Sequence, residues 1–319
     1  MLNLHNILLA TDFSSGAAAR FAFAHDLARR TGATLHVLYA FVLHEETYER
    51  PAARPETEEE ALTTLKKLGE DAIGDASASV QYAVDRNVAA GPAIVDHARA
   101  HDIDLIIVGT HGRRGVRRLI LGSVAEEVLR MAPCPVLTIR PNKDDPNAPI
   151  EPPKSILVPL DFSRHSAAAL CYAKELGSLY DAKLNLLHVV EETLHPAFYG
   201  IAMQSIYDIE PDIEEKAVAQ MRRMFEAAPG PVVEATFEAR PGRSGREIVR
   251  FAEEHGSGMI VMATHGLTGL EHFLVGSTTE RVIRRAQTPV FTVKSFDKSL
   301  VGEAHQTQSQ SGSDVGGDS

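Results

Sequence analysis

The chain has 319 residues, of which 44% are hydrophobic and 24% charged, and its formal net charge is −11. This length suffices for two domains that each bury a core, and the composition is typical of soluble globular proteins. The acidic balance argues against nucleic-acid binding, because nucleic-acid binders usually carry a basic surface. The two cysteines, Cys134 and Cys171, are too few for a disulfide framework and are expected to be packing residues in a reducing compartment.

The first residues lead directly into an apolar segment and show no signal peptide. No apolar run is long enough to span a bilayer. The sequence therefore predicts a cytoplasmic protein without a membrane partner.

Short apolar segments alternate with amphipathic segments through the first half of the chain. Strands are expected near residues 6–11, 33–40, 79–84, 104–109 and 135–140, and helices near 15–30, 56–73, 91–101 and 123–131. Residues 105–108 are apolar throughout, as in a parallel strand that is buried on both faces. The alternation predicts an α/β fold in which helices cover both faces of a parallel sheet.

The second half of the chain repeats the first. Residues 7–14 (ILLATDFS) recur as 156–163 (ILVPLDFS), at an offset of 149. Residues 109–123 (GTHGRRGVRRLILGS) recur as 263–277 (ATHGLTGLEHFLVGS), at an offset of 154. We therefore predict two tandem, open, five-stranded parallel sheets of Rossmann-like type. The predicted divisions are a first domain over 1–141, a linker over 142–153, a second domain over 154–295 and a disordered tail over 296–319.

An aspartate follows the first strand of each half, Asp12 in one and Asp161 in the other. Ligands of such sheets bind at the carboxyl ends of the strands beside the switch in strand order. An aspartate there can accept a hydrogen bond from a ribose hydroxyl or help to hold Mg²⁺. Alternatively, each aspartate caps the next helix. The residues alone leave both interpretations open.

A glycine-rich loop follows the fourth strand of each half. Gly109, Gly112 and Gly122 allow close approach of the backbone to an anion, and Ser123 opens a helix whose N–H groups favour phosphate. Arginines in this loop supply further phosphate donors, namely Arg113, Arg114, Arg117 and Arg118.

Two features of these loops have a second interpretation. Ser123 with Glu126, and Ser277 with Glu280, match a capping box, which only satisfies backbone donors. His111 and His265 lie within the loops, where a histidine can act as acid, base or phosphoacceptor, although a hydrogen-bonding role is preferred.

At these residues the chain resembles the universal stress protein family, over two family domains. Its ATP-binding members share the pattern Gly, two residues, Gly, nine residues, Gly, then Ser or Thr. The first half matches this pattern in full. The second half has Ala263 in place of the first glycine, which weakens the expectation of a second site, and it has Glu271 where the first loop is basic.

The resemblance implies nucleotide-binding residues in both halves. In the first half these are Ala10, Asp12, Ala40, Val108, Gly109, Gly112, Gly122, Ser123 and Val124. In the second half they are Pro159, Asp161, Val189, Met262, Ala263, Gly266, Gly276, Ser277 and Thr278.

The resemblance also implies binding of ATP or ADP, with Mg²⁺ where it accompanies the nucleotide, and a sensor role in the stress response rather than fast catalysis. Two alternatives stay open. One is a slow ATP hydrolase or self-phosphorylating protein that uses His111, Asp12 or Asp161, and the other is a structural module that binds no nucleotide.

The last strands, 136–140 and 290–294, are expected to be sheet edges that pair the two halves into a pseudo-dimer within one chain. Further association into a homodimer stays open. An apolar insertion, 195–203, is either a lid, a partner surface or a packing loop.

Overall fold

The predicted alternation of strands and helices is present throughout the computed structural model. The model describes residues 2–42, 55, 57–74, 79–110, 121–142, 144–191, 206–264, 275–293 and 300–301. The elements of the first half are β1 (Asn6–Ala10), α1 (Ala17–Thr31), β2 (Thr34–Val42), α2 (Glu58–Ile73), β3 (Val80–Asn87), α3 (Ala90–Ala100), β4 (Leu105–Gly109), α4 (Ser123–Met131) and β5 (Val136–Ile139). Those of the second half are β6 (Ser155–Pro159), α5 (Arg164–Tyr180), β7 (Lys183–Val190), α6 (Ile206–Ile209), α7 (Ile213–Ala227), β8 (Ala235–Pro241), α8 (Ser244–Glu254), β9 (Met259–Ala263), α9 (Ser277–Arg285) and β10 (Val290–Val293).

All ten strands belong to a single sheet, in the order β3-β2-β1-β4-β5-β10-β9-β6-β7-β8. The two predicted five-stranded sheets are the two halves of this one continuous sheet. The α/β class and the parallel pairing within each half are confirmed. Within each half the strand order reverses between the first strand and the fourth, which places a switch point between β1 and β4 and between β6 and β9.

The two halves join where β5 and β10 pair in antiparallel orientation. Leu137 lies opposite Phe291 at this seam, and both side chains are buried. Each strand would otherwise be an exposed edge with unpaired backbone groups, and pairing them satisfies those groups. The predicted pseudo-dimer within one chain is confirmed.

Helices cover both faces of the sheet and define two apolar cores. Residues of α1, α2, α5 and α7 pack on one face, together with Ile7 and Leu9 of β1. Residues of α3, α4, α8 and α9 pack on the other face, together with Leu8. Successive strand residues point to opposite faces, so β1 contributes to both cores.

The predicted linker and tail both make contacts with the folded halves. In the linker, Asn147 Oδ1 accepts the backbone N–H of Gly16, the residue before α1, at 3.0 Å. Leu300, which lies in the segment expected to be disordered, is buried, and its carbonyl accepts the N–H of Asn3 at 3.0 Å. Both cysteines are buried and neither forms a disulfide within the described residues, as expected of packing residues.

Candidate functional site

Three residues expected to line an adenosine lie together at the carboxyl edge of the first half. Ala10 of β1 pairs with Val108 of β4 on one side and with Leu38 of β2 on the other. Ala40 lies two residues beyond Leu38 and therefore points to the same face of the sheet. Val108 belongs to the apolar cluster on the face covered by α3 and α4, and Ala10 packs against it.

Asp12 and Asp161 each close a turn directly after the first strand of their half. Asp12 Oδ1 accepts the N–H of Ser14 at 3.0 Å, and Asp161 Oδ1 accepts the N–H of Ser163 at the same distance. The phenylalanine inside each turn has a positive φ, 59° in the first half and 64° in the second. The hydrogen bond holds this left-handed conformation, as aspartate side chains commonly do in turns.

Neither aspartate caps the helix that follows. The N-cap of α1 is Gly16, and the N-cap of α5 is Ser163, whose Oγ accepts the N–H of Ser166 at 3.1 Å. The helix-cap interpretation is therefore wrong, because the aspartate turn displaces the helix start along the chain. Asp12 and Asp161 lie instead at the carboxyl edge, half-buried.

The environment of Asp161 favours its charged form. Burial acts to raise the pKa of this carboxyl, but the hydrogen bonds that Ser163 and Ser166 donate outweigh burial and hold the pKa below its usual value. Asp161 is therefore an anion at neutral pH.

The glycine-rich loop of each half is held at its two ends. Gly122 donates its N–H to the carbonyl of Thr110 at 2.9 Å, and Gly276 donates to the carbonyl of Thr264 at 2.8 Å. This bond brings the start of the next helix beside the end of β4 or β9. The start of α4 and the end of β4 thus lie at one edge of the sheet.

The two helices after the loops begin without a side-chain cap. Their N-caps are Gly122 and Gly276, and neither receives a capping hydrogen bond from a side chain. The capping-box interpretation is wrong, because Ser123 and Ser277 are the first helical residues rather than the caps. Both serines are exposed, and the next residues, Val124 and Thr278, are half-buried. Free N–H groups at such a start form a favourable place for an anion.

The interior of each loop lies outside the described residues. The sequence predictions that fall there concern His111, Gly112, Arg113, Arg114, Arg117, Arg118, His265, Gly266 and Glu271, together with the insertion 195–203.

Arg20 is a residue at this edge that the sequence analysis did not single out. It lies on α1 with only 2% of its surface exposed, and it donates to Ser14 Oγ at 3.2 Å. Burial lowers the pKa of Arg20, and the charge of nearby Asp12 opposes this effect. Its Nε is buried and has no hydrogen-bond partner in the described part of the chain. A buried guanidinium with a free donor is costly, so it indicates a place built for an acceptor.

Gly109 lies beside this arginine. A Cβ added at Gly109 would lie 3.4 Å from Arg20 Cζ. At the offset of 149 residues, the position of Arg20 is held by Ala169, and the partner of Gly109 is Ala263. The first half therefore has an arginine beside a glycine where the second half has two alanines.

The corresponding edge of the second half is filled differently. Pro159 ends β6 and pairs with Leu187, while Val189 and Met262 are buried on the same apolar face. His188 Nδ1 lies 2.7 Å from the carbonyl oxygen of Leu160. The His188 ring also stacks on Phe162, with ring centroids 4.3 Å apart.

Within the second half, Thr279 also closes on the strand end. Its Oγ1 donates to the carbonyl of Ala263 at 2.8 Å. The equivalent residue in the first half is Ala125, which has no hydroxyl to offer. The carbonyl at the end of β9 therefore has a side-chain donor that the equivalent residue of the first half cannot supply.

Comparison with known proteins agrees with this arrangement. The model of the universal stress protein family matches residues 3–140 and, again, residues 153–294. The chain belongs to the universal stress protein family. A universal stress protein of Methanocaldococcus jannaschii is 31% identical over 153 residues, which cover 44% of this chain and 94% of that relative. One of Mycobacterium tuberculosis is 25% identical over 230 residues, which cover 72% of this chain and 74% of that relative.

Solved structures of the family share the fold over both halves. The structure of a universal stress protein from Archaeoglobus fulgidus superposes with a TM-score of 0.63 at 22% identity, covering 93% of this chain and 99% of that chain. A putative universal stress protein from Pseudomonas aeruginosa superposes with a TM-score of 0.60 at 20% identity, over 91% of this chain and 93% of that chain. These likenesses establish the tandem fold of the family.

Among the helices that the described residues form, none combines the length and the apolar character needed to cross a bilayer.

Proposed function

We propose that the first half of this universal stress protein binds ATP or ADP and that the chain acts as a sensor of that nucleotide rather than as a fast catalyst. The observation that carries the proposal is the uncapped start of α4, held against the end of β4 at the sheet edge that also carries Asp12 and Arg20. A nucleotide requires hydrogen-bond donors for its phosphates and an acceptor for its ribose. The backbone N–H groups at the start of α4 and the carboxylate at the switch point match these requirements.

Each part of the nucleotide has a candidate partner in this arrangement. Ala10, Ala40 and Val108 offer a small, apolar surface for the adenosine. The Asp12 carboxylate offers an acceptor for a ribose hydroxyl or an oxygen ligand for Mg²⁺ that accompanies the phosphates. The N–H groups at Ser123 and Val124 are the candidate donors to phosphate oxygens.

The second half supports a weaker site or a structural role. It has the aspartate turn and the uncapped α9, but it lacks the buried arginine, and Thr279 already occupies the carbonyl at the strand end. We propose that the first half carries most of the nucleotide affinity.

Contacts of the linker support a sensor role. Asn147 holds Gly16 at the start of α1, and a Cβ at Gly16 would meet the Pro146 carbonyl at 2.6 Å and Arg20 at 3.2 Å. A phosphate that accepts a hydrogen bond from Arg20 therefore acts on α1, which is the helix that the linker contacts. Family membership supports a role in the stress response, and two buried cysteines that form no disulfide within the described residues support a reducing, cytoplasmic location.

Equilibrium dialysis of the full chain with Mg·ATP tests the proposal. We expect saturable binding by the unmodified protein. Asp12→Asn should weaken the affinity by about tenfold, which corresponds to about 1.4 kcal/mol, because it removes the charged acceptor at the switch point. The matched variant Asp161→Asn should change the affinity less than about twofold.

Two results would overturn the proposal. One is the absence of saturable binding at millimolar ATP with protein that is folded by circular dichroism. The other is a loss of affinity in Asp161→Asn but not in Asp12→Asn, which would place the principal site in the second half.

A further inference from the structure

Three histidines of the first half converge away from the nucleotide site. His36 lies on β2, and His97 and His101 lie four residues apart at the end of α3. One ring nitrogen from each can be chosen so that all three lie within 4.8 Å of one another. The ring centroids are 4.2 Å apart for His97 and His101, and 5.4 and 5.8 Å for the two pairs with His36.

The burial of these rings is graded. His36 and His97 are 6% and 5% exposed, whereas His101 is exposed. The histidine cluster, defined here as His36, His97 and His101, therefore has two fixed imidazoles inside and one at the surface. A ligand would reach it from solvent past His101.

The orientation of His97 is set by a carboxylate. Asp85 of β3 lies with Oδ2 2.7 Å from His97 Nδ1. A proton on Nδ1 satisfies this hydrogen bond and leaves Nε2 with a free lone pair. His97 Nε2 is buried and has no hydrogen-bond partner among the described residues. Metal-binding histidines are typically held in this way, with a carboxylate on one nitrogen and the metal on the other.

The second half shows what this part of the fold needs for packing alone. The sheet register and the helix offset place Asn185 at the position of His36, Phe251 at that of His97 and His255 at that of His101. Phe251 stacks on His255 with ring centroids 3.9 Å apart.

The carboxylate is replaced as well. Arg240 lies at the position of Asp85, and its guanidinium lies 4.6 Å from the Phe251 ring centroid. In the second half, therefore, an aromatic stack and a cation fill this place. The first half instead brings three imidazoles and an orienting carboxylate to the same place.

We propose that His36, His97 and His101 bind a divalent transition-metal ion, with Zn²⁺ as the best match. Imidazole suits Zn²⁺, and three histidines with an open fourth position form a common zinc geometry. A tetrahedral ion needs ligand nitrogens about 3.3 Å apart, given Zn–N bonds of about 2.0–2.1 Å. The chosen ring nitrogens lie within 4.8 Å of one another here, so binding requires them to move closer together.

This metal site is separate from the proposed nucleotide site and does not depend on it. His36 lies four residues before Ala40 on β2, so the two differ by about 13 Å along the strand. The metal therefore lies toward the amino ends of the strands, and the nucleotide at their carboxyl ends. The metal ion is thus a second ligand of the half that we propose binds the nucleotide.

Isothermal titration of tag-free, chelator-treated, full-length protein with ZnCl₂ tests the proposal. We expect one Zn²⁺ per chain with a Kd below about 10 μM. His36→Asn and His97→Phe, which install the residues of the second half, should each weaken binding at least about 100-fold because each removes a ligand. Asp85→Asn should weaken it about 10- to 100-fold, as loss of an orienting partner does.

Two further variants keep the test independent of folding. His101→Ala changes an exposed side chain and should also abolish the one-site binding. His255→Ala, its counterpart in the second half, should leave the affinity for Zn²⁺ unchanged within about twofold. Co²⁺ added to the unmodified protein should give the visible absorption of a tetrahedral ion, and this absorption should be lost in His101→Ala.

Absence of Zn²⁺ binding in the unmodified protein would overturn the proposal. So would a titration that His36→Asn, His97→Phe and His101→Ala leave unchanged, because the ion would then be held by other histidines of the chain.

Discussion

The two halves of this chain share one scaffold but differ in the polar groups they place on it. Strand order and the aspartate turn are the same in both, and the second half adds the short helix α6 among the described residues. The differing pairs, first half against second, are Arg20 and Ala169, Gly109 and Ala263, His36 and Asn185, His97 and Phe251, and Asp85 and Arg240. Because the second half folds in the same way without these groups, the scaffold does not require them, and they are the places to look for function.

The difference extends to how the first helix begins. In the second half Ser163 caps α5 through its own Oγ, whereas in the first half Ser14 accepts from Arg20 and the linker residue Asn147 holds Gly16. A local cap has been replaced by a contact from outside the half. This ties the start of α1 to the segment that connects the two halves.

The largest expected effect comes from breaking the seam that joins the halves. Phe291 is 1% exposed and lies opposite Leu137, so Phe291→Ala should lower the free energy of unfolding by about 3–5 kcal/mol. Urea denaturation followed by circular dichroism measures this. Leu137→Ala, from the other side of the seam, should cost about 2–5 kcal/mol in the same transition. If only the half that carries the substitution lost stability, the halves would not fold as one unit.

The next prediction tests the difference in nucleotide affinity between the two glycine loops. Arg20→Met keeps the volume of the side chain and removes its charge and donors, so the affinity for Mg·ATP should fall about tenfold or more. Ala263→Gly should change ATP binding less than about twofold, because the second half would still lack the arginine. Strong second-site binding in Ala263→Gly, measured by dialysis stoichiometry, would instead show that the methyl group alone blocks that loop.

A smaller pair of effects compares the two helix starts. Ser163→Ala removes the local cap of α5 and should cost about 1 kcal/mol. Asn147→Ala removes the linker contact of α1 and should cost about 0.5–1.5 kcal/mol. Thermal unfolding measures both, and only Asn147→Ala should also alter the sensitivity of the linker to proteolysis. Equal proteolysis in the two variants would argue against a special role of the linker.

The smallest effect concerns the charge of Asp161 and depends on pH. The folded protein holds the pKa of this carboxyl below its unfolded value of about 3.9, so its charge stabilises the fold above that pH. The stabilisation is lost as pH falls through the lowered folded pKa. Asp161→Asn should therefore lower the Tm at pH 7 and pH 5, and the difference from the unmodified protein should shrink below about pH 4. A difference that stays constant down to pH 3 would contradict this assignment.

Much of the fold was predictable because its signals are local. The apolar run 105–108 is β4, and the predicted helix near 123–131 is α4. The repeat, read with the edge position of the last strands, also predicted the pairing of the two halves. The helix caps were not predictable, because sequence does not reveal that an aspartate turn carries the chain past Asp12 before α1 begins.

The long-range groups were harder still. The position of Arg20 on α1 is compatible with either a buried or an exposed side chain. Only the structure shows that this side chain is buried and lies beside Gly109. His97 and His101 show the four-residue spacing of a helical pair, but nothing in the sequence links them to His36, which the strand register alone brings near. Side chains that meet across separate elements have no local signature.

The antiparallel junction of β5 and β10 has a consequence for how another molecule could use this protein. Strands within each half are parallel, so the single antiparallel step reverses the direction of the whole second half. The carboxyl ends of β4 and β9 consequently lie at opposite rims of the sheet. Each chain thus presents two different sites on opposite rims. A partner that contacts both sites must either surround the sheet or bind as two copies.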